Sequence, residues 1–434
     1  MLFLVAVVAY VDRFAVTVLI TQMKVDLGLS EVQMGTLLGP AFVIMYVLAA
    51  VPAGRIADRG GRRNLLLGAL IVGGLAPGRS ALASTFTAAV ACRALVGLGL
   101  ACFIPGAMSL VGDYFAPAER GKATSVVMLG VSLGSGLGVL ATGALLDLIA
   151  RGSLGDLPFG RGQGHWTRVL LIYGAATVVL SALLLSVKEP RRQIADASSR
   201  SVVQPELASQ GEQSFDQFLL GNPADLLFVV LPFITGNFII SGTSAWLPAL
   251  LERQFGESAA DSAKIVGSLI LVASALGMVF GGTVGDYFAS RRTGGRLDTA
   301  LLFGPMALVL AVACLAASVT LAIIALTIFI FVLTVVTICA FPSIQEATPP
   351  YLRGQMLGLY MVSIQVGGMA LGTFMVGIVT DHVVGNPARL NLSLLLTMGP
   401  AWVLMLLVAL RGRRSLARLM LANGQASQES MPAV

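Results

Sequence analysis

Twelve runs of mostly apolar residues, parted by short polar breaks, constrain this chain more than any other feature. An apolar run of ~20 residues is the length of helix that crosses the hydrocarbon core of a bilayer. The runs fall near 1–22, 32–53, 65–84, 86–113, 124–147 and 167–187, then near 226–251, 263–284, 299–317, 319–345, 355–380 and 390–410. Only 12% of the 434 residues are charged while 56% are hydrophobic, about half the charged share usual in soluble proteins. A soluble enzyme, a disordered chain and a disulfide scaffold are excluded. The expected fold is an all-α polytopic membrane protein with twelve transmembrane helices.

The helices fall into two sets of six. Residues 1–187 are read as an N-terminal bundle, 188–225 as a cytoplasmic linker with a short helix near 215–220, 226–411 as a C-terminal bundle and 412–434 as a cytoplasmic tail. Landmarks in one half recur in the other. Gly54-Arg55-Ile56-Ala57-Asp58 returns as Gly282-Thr283-Val284-Gly285-Asp286, and Arg120-Gly121-Lys122 as Arg353-Gly354-Gln355. The glycine-rich fifth helix ends in Asp147 and the glycine-rich eleventh in Asp381. This predicts a parallel repeat of two pseudo-symmetric six-helix bundles.

Basic residues assign an orientation, because loops rich in Lys and Arg stay in the cytoplasm. With both termini inside, 18 of the 28 basic residues fall on the inner side and eight on the outer, among them Lys24, Arg151, Arg253 and Lys264. Only Arg13 and Arg93 remain within helices. A multi-pass protein of the cell (inner) membrane is expected, and the net charge of +6 reads as topology rather than as a nucleic-acid surface. The absence of a basic flank and cleavage site makes the first run a spanning helix rather than a signal peptide, with residues expected upstream of Met1. Cys92, Cys102, Cys314 and Cys339 lie in apolar runs, and His165 and His382 lie in loops without ligand spacing. No metal and no cofactor are expected.

The segment Gly54-Arg55-Ile56-Ala57-Asp58-Arg59-Gly60-Gly61-Arg62-Arg63 matches the G-x-x-x-D-[RK]-x-G-R-[RK] signature of the major facilitator superfamily, which the chain resembles over nearly its whole length. The resemblance implies that fold and a breakable latch built from Gly54, Asp58, Arg59, Arg62, Arg63, Arg120 and the second-half copy Asp286. Asp58 at a neighbouring helix N-terminus can pair with arginines; the plainer reading makes these arginines topology anchors. Within the superfamily, Tyr10-Val11-Asp12-Arg13 resembles the N-Y-x-D-R segment of Spinster-like transporters. Arg93-Ala94-Leu95-Val96-Gly97-Leu98-Gly99, Gly112-Asp113-Tyr114-Phe115-Ala116-Pro117, Trp166, Lys188-Glu189-Pro190 and Ala245-Trp246-Leu247-Pro248 carry the same likeness. The family's glutamate after the fourth-helix glycines is replaced here by Leu100. The likeness implies transport of a lysolipid or sphingolipid-like substrate coupled to protons; proton-driven multidrug efflux is the alternative, and a channel or a non-transporting scaffold is the reading from another class. An enzyme is not expected, since no Ser/His or His/Asp cluster lies at membrane depth.

Charge near the bilayer midplane costs ~2.5–3.5 kcal/mol per group and marks function by default. Asp12 and Arg13 sit ~16 Å from the outer end of helix 1, and Arg93 ~11 Å from the outer end of helix 4. Asp12 and Arg93 are expected to approach across the central cavity as the proton-coupling pair, with a permanent structural ion pair as the other reading. Adjacent helical residues point ~100° apart, so Arg13 should face another neighbour or the substrate. The superfamily likeness places helices 1, 4, 7 and 10 around the cavity. Expected substrate contacts are Arg13, Arg93, Asn237, Thr243, Trp246, Thr337, Tyr360 and Gln365, around an amphipathic or small organic substrate with an anionic or polar head. Partners are that substrate, protons and membrane lipids; a monomer is expected. Helix 5, with Gly130, Gly134, Gly136, Gly138 and Gly143, permits close packing, and Gly367, Gly368, Gly372 and Gly377 mirror it in helix 11 as a hinge or gate.

Overall fold

The computed structural model describes residues 2–59, 62–80, 85–115, 120–152, 164–184 and 214–429. The N-terminal half runs α1 (Leu2–Leu27), α2 (Glu31–Leu38), α3 (Pro40–Arg59), α4 (Arg62–Ser80), α5 (Phe86–Tyr114), α6 (Arg120–Ala150) and α7 (His165–Leu184). A short helix α8 (Phe215–Gly221), capped by Ser214 and Gln217, leads into α9 (Pro223–Phe255) and α10 (Ala259–Arg291). Then follow α11 (Asp298–Phe303), α12 (Val309–Leu315), α13 (Val319–Ile338), α14 (Ala340–Ala347), α15 (Arg353–Ser363), α16 (Leu371–Ile378) and α17 (Leu390–Glu429). Among the described residues, ten helical segments are long and apolar enough to cross a membrane. The helices α4 and α7 join them within the first bundle, giving twelve.

Prolines explain where single apolar runs become two helices. Pro40 has no N–H and its ring collides with the preceding turn, so the second run breaks into α2 and α3 at Gly39. Pro305 similarly divides the ninth run into α11, a 3-10 turn (Gly304–Leu308) and α12. Pro342 lies four residues after Ile338, where α13 stops and α14 begins. The eleventh run changes to π-helix over Ile364–Ala370 and again over Val379–Val384. Two ends extend past expectation: α10 continues to Arg291, and α17 runs 40 residues to Glu429, so much of the expected tail is helix.

Helix pairings repeat between halves. In the first, α1 packs on α6 and α3 on α5; in the second, α9 packs on the eleventh-run helix and α10 on α13. On α6, Gly130, Gly134 and Gly138 recur every four residues and ride over Phe3, Val7 and Val11 of α1, which have the same spacing. A Cβ on Gly138 would lie 2.7 Å from the Val11 carbonyl oxygen, so only glycine permits this approach. Small-residue stripes of this kind drive helix association where lipid tails make apolar burial worthless.

The bundles meet tightly at the face opposite the chain termini. Along that face α6 packs on α10 and α2 on α16. A Cβ on Gly377 would collide with the Glu31 carbonyl across the bundle boundary. The Asp381 carboxylate accepts from the Glu31 and Val32 backbone N–H groups at 3.2 and 2.8 Å, so the second bundle caps the N-terminus of a helix in the first. Glu31 is itself fully buried and pairs with Lys24 of α1 and with Arg253 of α9, the latter at 3.0 Å. In the mirrored position Asp147 of α6 reaches Lys264 of α10 at 3.4 Å. Two basic residues that the sequence presents as topology markers, Arg253 and Lys264, therefore join the two halves.

Two outcomes follow. Gly138→Leu forces α1 off α6 and should lower stability by about 1–3 kcal/mol, read as a drop in Tm of the purified protein in detergent. Arg253→Met removes a partner from a buried carboxylate, a change that costs about 3–5 kcal/mol where the pair persists. It should favour separation at this face. Spin labels at Val25 and Val383, both exposed and on opposite halves, should then show a longer mean distance than in the parent; an unchanged distance distribution shows that Arg253 does not hold this face closed.

Candidate functional site

Between the bundles lies a cavity of about 290 Å³. The first half contributes Arg13, Phe14, Thr17, Leu38, Arg93, Ser135 and Val139 to its wall. The second contributes Asn237, Ile240, Ser241, Ser244, Ala245, Ile270, Ser274, Ile330, Ile364, Gln365, Met369 and Thr373. Two guanidinium groups face this space, and among the described residues no aspartate or glutamate lines it.

Each arginine is held by its local backbone. Arg93 is buried, and its Nε donates to the Leu37 carbonyl at 3.1 Å. That carbonyl lies in the last turn of α2, where helix carbonyls lack partners within the helix. The terminal nitrogens of Arg93 donate to the Arg13 carbonyl at 3.5 Å. One side chain thereby links α1, α2 and α5 without neutralising its charge. The Arg13 guanidinium lies 4.6 Å from the Phe42 ring centroid, 5.4 Å from Phe14 and 5.6 Å from Tyr10. Each desolvated cation–π contact of this kind is worth up to about 2 kcal/mol. Arg13 Nη2 turns to Met369 Sδ across the bundle boundary, while Nε is buried with no hydrogen-bond partner. Aromatic faces hold the cation in place and leave donors for an anion.

Four of the eight expected substrate contacts line the cavity: Arg13, Arg93, Asn237 and Gln365. The other four do not. Trp246 is fully buried, and its Nε1 donates to the Thr373 carbonyl at 3.1 Å, tying α9 to α16. Thr243 is fully buried on the same side of α9. Thr337 donates to its own-helix Leu333 carbonyl at 2.9 Å and packs over Gly236. Tyr360 is buried edge-on against Phe341. Helices 1, 4, 7 and 10 all reach the cavity, helix 10 through Ile330, and helices 2, 5, 8 and 11 add wall residues beyond that expected ring. Thr17, Ser135, Ser241, Ser244, Ser274 and Thr373 are the polar wall residues absent from the expected contacts. Spacing held the signal for two of them: Asn237, Ser241 and Ser244 follow the i, i+4, i+7 rule for one helical face, which excludes Thr243 and Trp246. The Ser241 hydroxyl donates to Asn237 Oδ1 at 3.1 Å, which fixes the amide. Gln365 and Met369 sit on the π-helical stretch Ile364–Ala370; such stretches occur often at functional sites.

Asp12 departs from expectation. It is buried, yet it lines a separate small void with Ala69, Gly73, Gly99, Leu100 and Thr177 rather than the cavity. No ion pair within 4.0 Å joins it to Arg93 among the described residues. The ~100° between adjacent helical side chains explains this: once Arg13 faces the cavity, Asp12 must turn toward α4, α5 and α7.

Of the expected latch, the side chains of Asp58, Arg59, Arg62 and Arg120 lie outside the described residues. Gly54 is in α3 and Arg63 in the first turn of α4. The second-half copy is in view: Asp286 accepts from Arg296 at 2.7 Å, and the same guanidinium reaches Glu346 at 2.6 Å. Aspartate at this motif position therefore joins two helices through one arginine.

The sequence pattern of the Major Facilitator Superfamily matches residues 2–373. An MFS-type efflux pump of Mycolicibacterium smegmatis is 29% identical over 293 residues, covering 66% of this chain and 62% of the relative. A hexuronate transporter of Bacillus subtilis is 28% identical over 286 residues, covering 66% and 63%. Protein spinster homolog 1 of Bos taurus is 28% identical over 347 residues, covering 74% and 60%. The chain thus spans about three fifths of the length of these curated relatives. A bacterial homologue of the human lysosomal transporter Spinster, solved in an inward-facing and unoccupied conformation, superposes with a TM-score of 0.82 at 22% identity, covering 97% of this chain and 96% of that one. The family match over most of the chain, the twelve-helix fold and the Spinster-like neighbours together make this protein a member of the major facilitator superfamily, a family of transporters.

Proposed function

We propose that the protein is a secondary active transporter that moves an amphipathic substrate with an anionic head by alternating access. The single observation that carries this reading is the pair Arg13 and Arg93 on a cavity that no carboxylate lines among the described residues. Two cations held by aromatic faces and backbone carbonyls leave net positive charge at the substrate, and an anionic group neutralises it. The remaining wall mixes alkyl groups with hydroxyls and amides, which suits an apolar body. A lysolipid or sphingolipid-like molecule has this form, as does a small organic acid; the hexuronate transporter among the relatives handles an organic acid by its name. Proton-driven drug efflux is the second reading, favoured by the name of the mycobacterial relative. The arginines count against cationic drugs as cargo.

Coupling to protons is assigned to Asp12, a carboxyl inside the bundle with no counter-ion within 4.0 Å among the described residues. Its proton site stands behind the substrate wall on the same helix as Arg13, so one helix registers both. Alternation separates the Glu31 and Asp381 contacts at one face while the Gly54–Arg63 segment closes the other as a latch. The Lys and Arg distribution supports a cell (inner) membrane location with both termini cytoplasmic, and both bundles that line the cavity belong to one chain, which supports a monomer.

Purified protein in liposomes, given a panel of lysolipids, organic acids and cationic dyes, tests this reading. Uptake should favour anionic-headed substrates, and Arg13→Met or Arg93→Met should each raise their Kd at least tenfold, about 1.4 kcal/mol. Preference for cationic dyes, undiminished in Arg13→Met, refutes it. Asp12→Asn should abolish uptake driven by a pH gradient while counterflow exchange persists; retained gradient-driven uptake removes Asp12 from coupling.

A further inference from the structure

The small void beside Asp12 contains an unmet demand for hydrogen bonds. Its volume is about 20 Å³, and its wall includes Asp12, Thr177, Gly73, Gly99, Leu100 and Phe103. Thr177 is 3% exposed, and its Oγ1 is buried with no hydrogen-bond partner. Asp12 is 4% exposed and takes part in no hydrogen bond or ion pair among the described residues. A carboxyl on α1 and a hydroxyl on α7 thus border one space, and neither is satisfied. A buried polar group left so costs about 1–3 kcal/mol.

The neighbouring charged and titratable groups are already engaged. From α5, Arg93 acts on Asp12, but its nitrogens donate to the Leu37 and Arg13 carbonyls. From α7, the Tyr173 hydroxyl lies 3.0 Å from Thr142 Oγ1. Arg13, next in sequence, turns to Phe42 and Met369. The α4 wall supplies only Ala69, Leu70 and Gly73. A water molecule needs ~10–15 Å³ of such space and two to four polar partners, so the void admits one water and not two. Leu100 closes it with an alkyl wall. A bare metal cation takes about six or more oxygens, which this lining does not offer.

We propose that the void is a built site for a single water that bridges the Asp12 carboxyl and the Thr177 hydroxyl, making Thr177 a positioning residue for the proton-bearing group. The inference rests on the proton-coupling reading above. A water donates to the ionised carboxylate and accepts from the protonated acid, so Asp12 gains or loses its proton without leaving an orphan group. The site also keeps the proton apart from the substrate, with α1 between them.

Infrared difference spectroscopy on the whole protein in lipid, stepped through pH, tests the site. The Asp12 acid carbonyl band is the one lost in Asp12→Asn. In Thr177→Val, of nearly equal volume, that band should move to higher frequency as its hydrogen bonding is lost, and Thr177→Ser should restore the parent position. Unfolding temperatures close to the parent confirm that both variants are folded. A band unmoved in Thr177→Val overturns the bridging water and leaves Asp12 as the proton site. A band that shifts between sodium chloride and choline chloride overturns it too, in favour of a metal cation. If no band is lost in Asp12→Asn at any pH, the proton-coupling reading itself falls.

Discussion

The guanidinium of Arg93 sets the terms for the rest of the molecule. In hydrocarbon it cannot rely on water, so it takes the carbonyl of Leu37 at the end of α2 and that of Arg13 in α1. The first carbonyl is on offer because Pro40 ends the helix one turn later. A break demanded by proline chemistry thus becomes a charge anchor, and the anchor fixes how α1 is turned. With α1 so turned, Arg13 faces the cavity and Asp12 faces the bundle interior. The cavity arginine and the buried carboxyl are separated by one residue step.

Much of this arrangement is written plainly in the chain. The apolar runs locate the spans, because length and composition decide which segments cross a bilayer. The glycine spacing on helix 5 is equally direct, since a four-residue recurrence of missing side chains has one structural use. Arg13 and Arg93 stood out because charge at that depth is scarce, and both reach the cavity. Asn237 and Gln365 followed from their type, as amides seldom lie unused inside a bundle.

The failures have a common physical origin. Thr337 returns its hydroxyl to the preceding turn of its own helix, as Thr334 and Thr373 also do; in lipid this local bond is always available to threonine, so residue type alone says nothing of a ligand. Trp246 and Tyr360 are large enough to fill gaps between helices, and their burial is packing. The direction of Asp12 needed the rotation of α1, a tertiary quantity. The contacts at the face opposite the termini join residues hundreds of positions apart, as with the Glu31 backbone N–H and the Asp381 carboxylate or the Glu31–Arg253 ion pair, and no local pattern announces them.

The last helix has a consequence of its own. At 40 residues it is ~60 Å long, about twice the ~30 Å hydrocarbon thickness. Its basic stretch is braced to the starts of other helices, with Arg418 3.1 Å from Asp225 and Arg413 3.5 Å from Asp298. The protruding portion therefore moves with the second bundle as one body. A slight tilt of that bundle at the membrane centre would be magnified at the far tip, so this helix is a built-in pointer to the orientation of the second bundle.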